Sequence, residues 1–528
     1  MPCSSSCPPG LLALMAPGLA LMATFSLPSQ AGDRRALPVE KPPGVKGRTL
    51  ILLDVNTKSP VRIISENFLS LQLDPSIIHD GWLDFLSSRR LVTLARGLAP
   101  AFLRFAGKRT DFLQFHNVKN PAKSRGGPGP DYYLKNYEDA RSLDKLYNFA
   151  DCSGLHLIFA LNALRRNPNN SWNSSNALSL LKYSASKKYN ISWELGNEPN
   201  NYRTLIGRSV NGSQLGKDYI QLRSLLQLIR TYSRANLYGP NIGRPRKNVI
   251  ALLEGFMKVA GSTVDAVTWQ HYYIDGRVAK VTDFLKTRLL DTLSDQIRKI
   301  QKVVNTYTPG KKIWLEGVGA TSAGGMNNLS DSYAAGFLWL NTLGLLASQG
   351  IDVVVRHSFL DHGHNHLVDQ NFNPLPDYWL SLLYKRLIGP KVLAIHVAGL
   401  QRKPRPGRVI RDKLRIYAHC TSYHNHNYVR GSITLYIINL HRSRKKIKLA
   451  GTLRDKIVHQ YLLQPYGKDG LHSKSVQLNG QPLAMVDDAT LPELKPRPLR
   501  AGRTLVIPPL TMSFYVVKNV NALACRYR

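Results

Sequence analysis

Acidic residues are scarce in this chain of 528 residues, which has 34 aspartates and glutamates against 71 lysines and arginines. Its formal net charge at pH 7 is therefore +37. A field of one sign on this scale predicts a polyanionic partner. Because basic charge alone does not separate phosphate polymers from sulfate polymers, composition leaves both nucleic acid and sulfated glycosaminoglycan open.

Cysteine is rare, and long apolar runs are absent. Of the five cysteines, Cys152, Cys420 and Cys525 lie far apart and show no metal-site spacing such as C-x-x-C. No internal stretch reaches the roughly 18–20 uninterrupted apolar residues of a membrane-spanning helix. The sequence therefore predicts no transmembrane segment, and no pattern in it indicates a metal or a cofactor.

Residues 1–31 have the pattern of a secretory signal peptide. Leu11–Phe25 is apolar, and Ser26–Gly32 offers small residues for cleavage near Ala31. Five N-x-S/T sequons also favour a secreted glycoprotein; their asparagines are Asn169, Asn173, Asn190, Asn211 and Asn328. In a secreted chain the abundant polyanion is sulfated glycosaminoglycan. We therefore predict a location in the extracellular matrix or at the cell surface, and no nucleic-acid partner.

The rest of the chain divides into a linker, a barrel and a sandwich. Residues 32–47 are rich in Pro, Gly and charge, which is typical of a linker. Residues 63–389 alternate eight short apolar segments with amphipathic stretches, which predicts a (β/α)8 TIM barrel of the α/β class. Residues 390–528 predict an antiparallel β-sandwich, to which residues 48–62 add an N-terminal strand. The predicted barrel strands are Leu69–Leu73, Ala101–Phe105, Leu155–Ala160, Ile191–Leu195, Asn236–Tyr238, Ala266–Trp269, Lys312–Leu315 and Ile351–Val355, and two predicted helices are Tyr219–Tyr232 and Leu285–Val304.

Polar residues follow several of the predicted strands, where active sites of such barrels lie. The most specific stretch is WELGNEPN, residues 193–200. Its strand delivers Asn197 and Glu198 to the barrel mouth, and Pro199 predicts extended geometry for Glu198. An Asn-Glu pair is the acid/base signature of many retaining glycosidases: the Glu protonates the glycosidic oxygen, and the Asn hydrogen-bonds the sugar 2-hydroxyl.

The sequence resembles the heparanase family, glycoside hydrolase family 79, over nearly the whole chain behind the leader. The stretches that carry the resemblance include SLQLD, RGLAPAFLRFAGKRTDF, NISWELGNEPN, VTWQHYYIDGR and HLVDQNFNPLPDYWLSLLYKRLIGPKVL. Members of this family are endo-β-glucuronidases that cut heparan sulfate. The resemblance implies a (β/α)8 barrel with a C-terminal β-sandwich, and a disulfide between Cys420 and Cys525. It also implies that Cys152 lacks its usual partner, because the family's long linker is missing at the 138–141 junction.

The family's site residues carry over unevenly. Asn197 and Glu198 match the acid/base pair, and the residues that match cleft positions are Asp74, Arg246, His271, Tyr272 and Arg277. Other cleft positions differ from the family pattern: they hold Ala106, Lys108, Gln270, His357 and Asn365.

The seventh strand departs most. Active members read Trp-Leu-Gly-Glu-Thr, whereas residues 314–318 here read WLEGV. The nucleophile position therefore holds Gly317, and Glu316 lies one residue earlier. Because side chains alternate along a strand, this register predicts that the Glu316 carboxylate faces away from the site. A retaining enzyme needs its two carboxyl groups about 5–5.5 Å apart. The pattern is most similar to the family's non-hydrolytic branch.

Two routes to activity stay open on the sequence. A bulge at Glu316-Gly317 would re-aim the carboxylate. An inverting mechanism would need a second carboxylate about 6.5–9.5 Å from Glu198. The alternative function is thus an active retaining endo-β-glucuronidase with Glu198 as acid/base and Glu316 as nucleophile.

Two basic patches are the predicted ligand-binding surfaces. The barrel patch comprises Lys108, Arg244, Arg246, Lys247 and Arg277, and the sandwich patch comprises Arg442, Arg444, Lys445, Lys446 and Lys448. Guanidinium and ammonium groups bind sulfate and carboxylate. We therefore predict a protein that binds heparan sulfate, heparin and heparan sulfate proteoglycans without cutting them. It would compete with active heparanase for these chains, and direct association with that enzyme is a further option.

Overall fold

The computed structural model describes residues 50–79, 82–116, 136–322, 324–361, 363–399 and 413–527. The predicted signal peptide and linker lie outside these ranges. Within them, no helix is both long enough and apolar enough to cross a lipid bilayer.

The described strands are numbered in chain order. They are β1 (Leu50–Val55), β2 (Arg62–Ile63), β3 (Leu69–Leu73), β4 (Ala101–Phe105), β5 (Leu113–His116), β6 (Asn136–Asp139), β7 (Leu155–Leu161), β8 (Ile191–Leu195), β9 (Leu237–Ile242), β10 (Ala266–Asp275), β11 (Lys312–Ser322), β12 (Val353–Leu360), β13 (Ile388–Leu393), β14 (Ile395–Gly399), β15 (Leu414–Thr421), β16 (Ile433–Asn439), β17 (Lys445–Leu449), β18 (Val458–Pro465), β19 (Val476–Leu478), β20 (Gln481–Pro482), β21 (Arg497–Leu499), β22 (Leu505–Ile507) and β23 (Thr511–Val517).

The described α-helices are numbered in the same way. They are α1 (Ser76–His79), α2 (Arg89–Gly97), α3 (Ala140–Cys152), α4 (Ser175–Ser186), α5 (Tyr202–Ile206), α6 (Gly212–Leu228), α7 (Lys247–Ala260), α8 (Thr287–Leu290), α9 (Thr292–Tyr307), α10 (Ala335–Ser348) and α11 (Pro376–Leu387). Short 3-10 turns connect several of these elements.

Eight parallel strands close into a barrel in the order β3, β4, β7, β8, β9, β10, β11, β12. The predicted (β/α)8 fold is confirmed, and three of the eight strands have the predicted bounds. The strands β10 and β11 run well past the predicted ends, into the polar residues at the carboxyl side of the barrel. The predicted helix 285–304 is interrupted at Asp291, so that it forms α8 and α9.

Side chains facing the barrel interior form layers. The lowest layer is apolar and is formed by Phe102, Ile158, Tyr238, Ala266, Trp314, Val353 and Val355. The layer above it is charged, as described below. The outward faces of the strands pack against the helices in one large hydrophobic core.

Two antiparallel-rich sheets follow the barrel. The smaller sheet has the order β14, β1, β17, β22, and β1 lies inside it, antiparallel to β14 and parallel to β17. The larger sheet runs β2, β13, β15, β16, β23, β18, β19, β20, with β21 paired to β18. Their apolar faces share a second core.

Helix α10 joins the barrel to the larger sheet. It is buried nearly all round, which is the expected behaviour of a helix with no polar face. Gly344 of this helix lies against the ring of Tyr417, where an added Cβ would come within 2.4 Å of a ring carbon. The Tyr417 hydroxyl donates to Oδ1 of Asn341 over 2.8 Å. The barrel and the sandwich therefore share a tightly packed interface.

The cysteines differ in part from expectation. Cys420 and Cys525 form a disulfide, as the resemblance implied. The expectation that Cys152 is unpaired is wrong, because Cys152 is also disulfide-bonded. That expectation rested on the absence of the family's linker, which carries the usual partner of Cys152.

The 138–141 junction passes from a strand into a helix without a loop. The strand β6 pairs in parallel with β5, and α3 begins at the next residue. Asp139 is the N-cap of α3 and accepts a hydrogen bond from the backbone N–H of Ser142 over 2.7 Å. Such a cap satisfies one of the free donors at the helix start.

Replacing Cys420 and Cys525 together by Ala should lower the free energy of unfolding by about 2–5 kcal/mol. The bridge spans a sequence separation of 105 residues, so its loss frees a long loop in the unfolded chain. Denaturant unfolding measures the change. Arg500→Ala, an exposed substitution in the same sandwich, is the control and should stay within about 0.5 kcal/mol of wild type. Equal unfolding midpoints for the double variant and wild type would contradict the prediction.

Candidate active site

Glu198 lies just beyond β8 with an unusual backbone conformation. Its φ is +46° and its ψ is +63°, in the left-handed region. The extended geometry predicted for it is therefore wrong. The backbone N–H of Glu198 donates to the Asn241 carbonyl over 3.0 Å, and Pro199 opens a 3-10 turn directly afterwards. These two constraints reverse the chain at Glu198 and leave its side chain half-buried at the barrel mouth.

The Glu198 carboxylate is held from two sides. Its Oε2 accepts a hydrogen bond from Nδ2 of Asn201 over 2.5 Å, and the Gln270 side chain also lies beside it. Burial raises the pKa of Glu198 above its usual value, although Asn201, Gln270, Arg104 and Lys108 oppose the shift. A carboxylic acid with a raised pKa is the form that a general acid needs.

Asn197 is fixed by its backbone and by its side chain. The backbone N–H donates to Oδ2 of Asp111 over 3.1 Å and to the Tyr202 hydroxyl over 3.3 Å. The Oδ1 atom accepts from Nη2 of Arg104 over 3.2 Å. Burial raises the pKa of Asp111 to about 6, against the hydrogen bonds it accepts and the charge of Arg166. The orientation of Asn197 thus depends on three buried side chains, those of Asp111, Tyr202 and Arg104.

A β-bulge lies in β11 at the position where the sequence departs from the active family. Trp269 of β10 pairs with Leu315, and His271 pairs with Val318. One residue of β10 therefore faces two of β11, Glu316 and Gly317, and the pairing with β12 shifts at the same place. Gly317 has a φ of +123°, a conformation that glycine adopts readily.

The bulge overturns the prediction that Glu316 faces away from the barrel interior. Its carboxylate is fully buried, and Oε1 lies 3.1 Å from Nε of Arg104. An added Cβ on Gly317 would lie 3.0 Å from Oε1 of Gln270 and 3.5 Å from Oε1 of Gln72. Both residues of the bulge therefore face inward, because the extra residue cancels the alternation of side chains.

Arg104 is the centre of the charged layer, which we call the lumen ion cluster. It consists of Arg104, Glu194 and Glu316. Nε of Arg104 donates to Oε1 of Glu194 over 2.9 Å, and Nη1 donates to Oε1 of Gln72 over 3.2 Å. All three charged side chains are at most 1% exposed.

Glu316 is bound into this cluster and is not free at the mouth. Burial and the neighbouring Glu194 raise the pKa of Glu316 well above its usual value, and Arg104 opposes the shift. The Glu316 carbonyl accepts from Nδ2 of Asn241 over 2.8 Å. One arginine cannot neutralise two carboxylates, so the protonated form of Glu316 is favoured.

The mouth also holds Tyr272 and His357, whose Oη and Nδ1 are 2.9 Å apart. Asp74 accepts two backbone hydrogen bonds, from Ser76 to Oδ1 and from Lys108 to Oδ2, both over 2.8 Å. These residues therefore lie together at the carboxyl side of the barrel, as the strand pattern predicts.

His271 and Arg277 do not join this group in the structure. His271 is 1% exposed, and its Nδ1 lies 3.0 Å from Nε2 of Gln296 on α9. Burial lowers the pKa of His271 to about 3, with a smaller contribution from Arg244. Arg277 is exposed and pairs with Asp275 over 2.7 Å. His271 packs between strand and helix, so its predicted contact with a ligand is not supported.

The two basic patches lie largely on the surface. All five side chains of the barrel patch are exposed. In the sandwich patch, Lys446 and Lys448 alternate with buried Ile447 and Leu449, so they face outward from the smaller sheet. Arg442 and Arg444 are exposed in the turn before β17, and Lys445 is half-buried.

Four of the five sequon asparagines are exposed, and Asn173 is half-buried. Asn211 also caps α6, accepting from the backbone N–H of Gln214 over 2.8 Å. Their glycosylation remains a prediction.

Sequence reasoning missed Arg104 and Glu194. A signal was present: each is a charged residue in the middle of an otherwise apolar predicted strand. Strands of a parallel barrel are usually apolar throughout, so opposite charges at equivalent depths in two of them indicate a pair in the interior. Asn201 gave no comparable signal, since an asparagine after a proline is ordinary turn composition.

Comparison with known proteins places this site in a family. A model described as "Glycosyl hydrolase family 79, N-terminal domain" matches residues 136–344. The human protein named "Inactive heparanase-2" is 80% identical, with 100% of this chain and 98% of that protein aligned. The chain belongs to the heparanase family. Mouse "Heparanase" is 46% identical, over 90% of this chain and 94% of that protein. Both comparisons agree with the resemblance read from the motifs.

Two further comparisons concern length and fold. The human alignment spans 582 residues, more than the 528 of this chain, so that relative carries segments that this heparanase-family chain lacks. A solved 4-O-α-L-rhamnosyl-β-D-glucuronidase from Fusarium oxysporum superposes with a TM-score of 0.64. It covers 88% of this chain and 100% of its own, at 14% identity, and so it supports the fold alone.

Arg104→Met should destabilise the protein by about 3–5 kcal/mol, because it leaves Glu194 and Glu316 buried without their cation. Arg298→Met is the matched control: Arg298 is 72% exposed and pairs with Asp295 of the same helix, so its loss should cost at most about 0.5 kcal/mol. Denaturant unfolding measures both. A loss no larger than that of the control would show that the cluster contributes little.

Glu316→Gln should flatten the dependence of stability on pH. The folded-state pKa of Glu316 is raised, so its stabilising contribution is complete below the unfolded value and is lost as pH rises through the folded value. Glutamine cannot ionise, so the variant should lose less stability than wild type between about pH 5 and pH 8. Unfolding curves measured across this range check the sign. Parallel curves for the two proteins would rule it out.

Proposed function

We propose that this chain is a secreted heparanase-like protein that binds heparan sulfate and heparin without cleaving them. The observation that carries the proposal is the identity of the two residues that form the bulge in β11. Gly317 occupies the nucleophile position, and the nearest carboxylate, Glu316, belongs to the lumen ion cluster. The name of the human relative, which calls it inactive, supports the same conclusion.

The acid/base residues of a retaining glycosidase are present. Glu198 has a raised pKa and Asn197 lies beside it. The second half is missing, because glycine has no side chain to attack the anomeric carbon. The groups that shift the pKa of Glu198 do not include Glu316. Glu316 instead interacts with Arg104, Glu194 and Thr268 beneath the site.

An inverting route is equally unsupported. It would need a free carboxylate at the mouth to activate water. Asp74 is occupied by two backbone N–H groups. Asp361 accepts from the Ser358 hydroxyl over 2.6 Å and from the Gly363 N–H over 2.8 Å. Both carboxylates therefore hold the loops of the mouth together. The bulge is the one observation that favours the alternative, an active enzyme, and the burial of Glu316 against Arg104 in the lumen ion cluster outweighs it.

Binding of the polysaccharide rests on charge. The net charge of +37 and the exposed arginines and lysines of both patches suit a sulfated chain. Arg244, Arg246 and Lys247 follow β9 at the mouth and the start of α7, so a chain crossing the mouth would meet them. Because this chain and active heparanase would bind the same polysaccharide, they would compete for it. Direct association with that enzyme is a further part of the proposal.

Heparin affinity chromatography tests the binding surface. Arg246→Ala combined with Lys247→Ala should elute at lower salt than wild type, because fewer counterions are displaced from the polyanion. Lys446→Ala with Lys448→Ala tests the sandwich patch in the same way. The matched control is Lys299→Ala with Lys302→Ala on α9, which removes the same charge from another exposed surface.

The control sets the threshold for interpretation. A shift that is equal for all three double variants would mean that only total charge matters, which contradicts specific patches. Elution of the wild-type protein near physiological salt would overturn the binding proposal as a whole.

Exchanging the two bulge residues tests the reason for inactivity. Wild type should release no fragments from heparan sulfate. Glu316→Gly combined with Gly317→Glu moves the carboxylate to the inward position beside Gln270, where the backbone must relax from a φ of +123° to accept a side chain. Glu194 remains to pair with Arg104. Hydrolysis that appears in this variant and disappears on adding Glu198→Ala would locate the defect in β11. Hydrolysis by the wild-type chain, abolished by Glu198→Ala, would refute the proposal.

A further inference from the structure

Three chemically suitable side chains meet at the carboxyl side of the barrel, outside the candidate active site. Asp331 lies in the segment between β11 and α10, and His364 and His366 lie in the loop after β12. One donor atom from each of the three lies within 4.8 Å of the others. Among the described residues this is the one group of at least three His, Cys, Asp or Glu side chains close enough to share a metal ion.

Asp331 is a buried carboxylate of which one oxygen is left without a partner among the described residues. Its side chain is 2% exposed, yet Oδ1 has no hydrogen-bond partner in the part of the chain that the structure describes. An unsatisfied oxygen on a buried carboxylate is costly. Nδ1 of His364 lies 3.5 Å from Oδ2 of the same carboxylate. A cation bound by the carboxylate and Nδ1 would use the lone pair of the neutral imidazole, and Oδ1 is the carboxylate oxygen still available to it.

A lysine approaches the same carboxylate from the sandwich. Nζ of Lys474, in the loop between β18 and β19, lies 3.2 Å from Oδ2 of Asp331, and it also donates to Oδ1 of Asn327 over 2.5 Å. Lys474 is 40% exposed, so it can turn towards solvent. Lys474 therefore competes for Oδ2 and leaves Oδ1 unoccupied.

The geometry points to a zinc site formed by Asp331, His364 and His366. Two imidazoles and one carboxylate are ligands that Zn²⁺ accepts at about 2.0–2.2 Å, with a fourth position left for water. Tetrahedral coordination at that distance puts ligand atoms about 3.3 Å apart. The donor atoms here lie within 4.8 Å of one another, so a small movement of the half-exposed His364 side chain towards the other two ligands completes the site.

A second carboxylate is already in place behind one ligand. Oδ1 of Asp361 lies 3.3 Å from Nδ1 of His366. Ligating histidines are commonly oriented by such a carboxylate. A bound ion would join the segments after β11 and β12 and hold them near the sandwich loop that carries Lys474. This site is independent of the polysaccharide proposal and departs from the sequence-based prediction of no metal.

Isothermal titration calorimetry of the full chain with ZnCl2 tests the inference. Wild type should bind one Zn²⁺ whose affinity falls at least about tenfold in His364→Ala. The fold should tolerate this substitution, because the His364 side chain is 41% exposed. Asp331→Asn, which keeps the side-chain shape, should weaken the same site. His424→Ala is the matched control, since His424 is 60% exposed and lies in the sandwich; it should leave affinity unchanged.

Lys474→Met distinguishes metal binding from a purely structural effect on this loop. Removing the competing ammonium should tighten Zn²⁺ binding, whereas loss of a packing contact would not. Co²⁺ in place of Zn²⁺ should show the visible absorption of a four-coordinate ion in wild type and lose it in His364→Ala. Absence of saturable binding in wild type, equal affinity in His364→Ala, or binding only after Lys474→Met would each overturn the inference.

Discussion

The guanidinium of Arg104 is the interaction on which the upper barrel depends. It contacts a residue from each of three other strands, and through Asn197 it reaches the loop that presents Glu198. A charged group this deep is tolerated only when its partners are complete. The same guanidinium therefore fixes the charge state beneath the site and the orientation of the acid/base pair, and Glu316 is one of the partners it requires.

This dependence explains how a glycosidase-like site can be well formed and lack a nucleophile. The features that would protonate a leaving group are present around Glu198: partial burial, a neighbouring amide and a fixed backbone. These features also serve the fold, since Asp111, Tyr202 and Asn241 anchor the same segment. Retention of the acid/base residues is thus compatible with a protein whose barrel mouth has become a binding surface.

The sequence predicts the barrel well because its strands are apolar and its helices amphipathic, and these patterns depend on local composition. It predicts the register of Glu316 wrongly for a physical reason. Period-two alternation holds only for a regular strand. The glycine makes a bulge at Glu316-Gly317 possible, but whether it forms depends on pairing with β10 and β12, which the sequence does not give. The placement of His271 fails similarly, because it faces Gln296 on a helix that follows in the chain. Asp331, His364 and His366 meet only once β11 and β12 are neighbours.

The bulge also couples two neighbouring positions of the site. Both Glu316 and Gly317 face inward, and the acidic residue of the two lies in the lumen ion cluster. Gly317→Glu alone would crowd a further carboxylate above an arginine that already has two, and Glu316→Gly alone would remove support without adding a nucleophile. Each single exchange would disturb the lumen ion cluster, so the two positions of the bulge are coupled through Arg104.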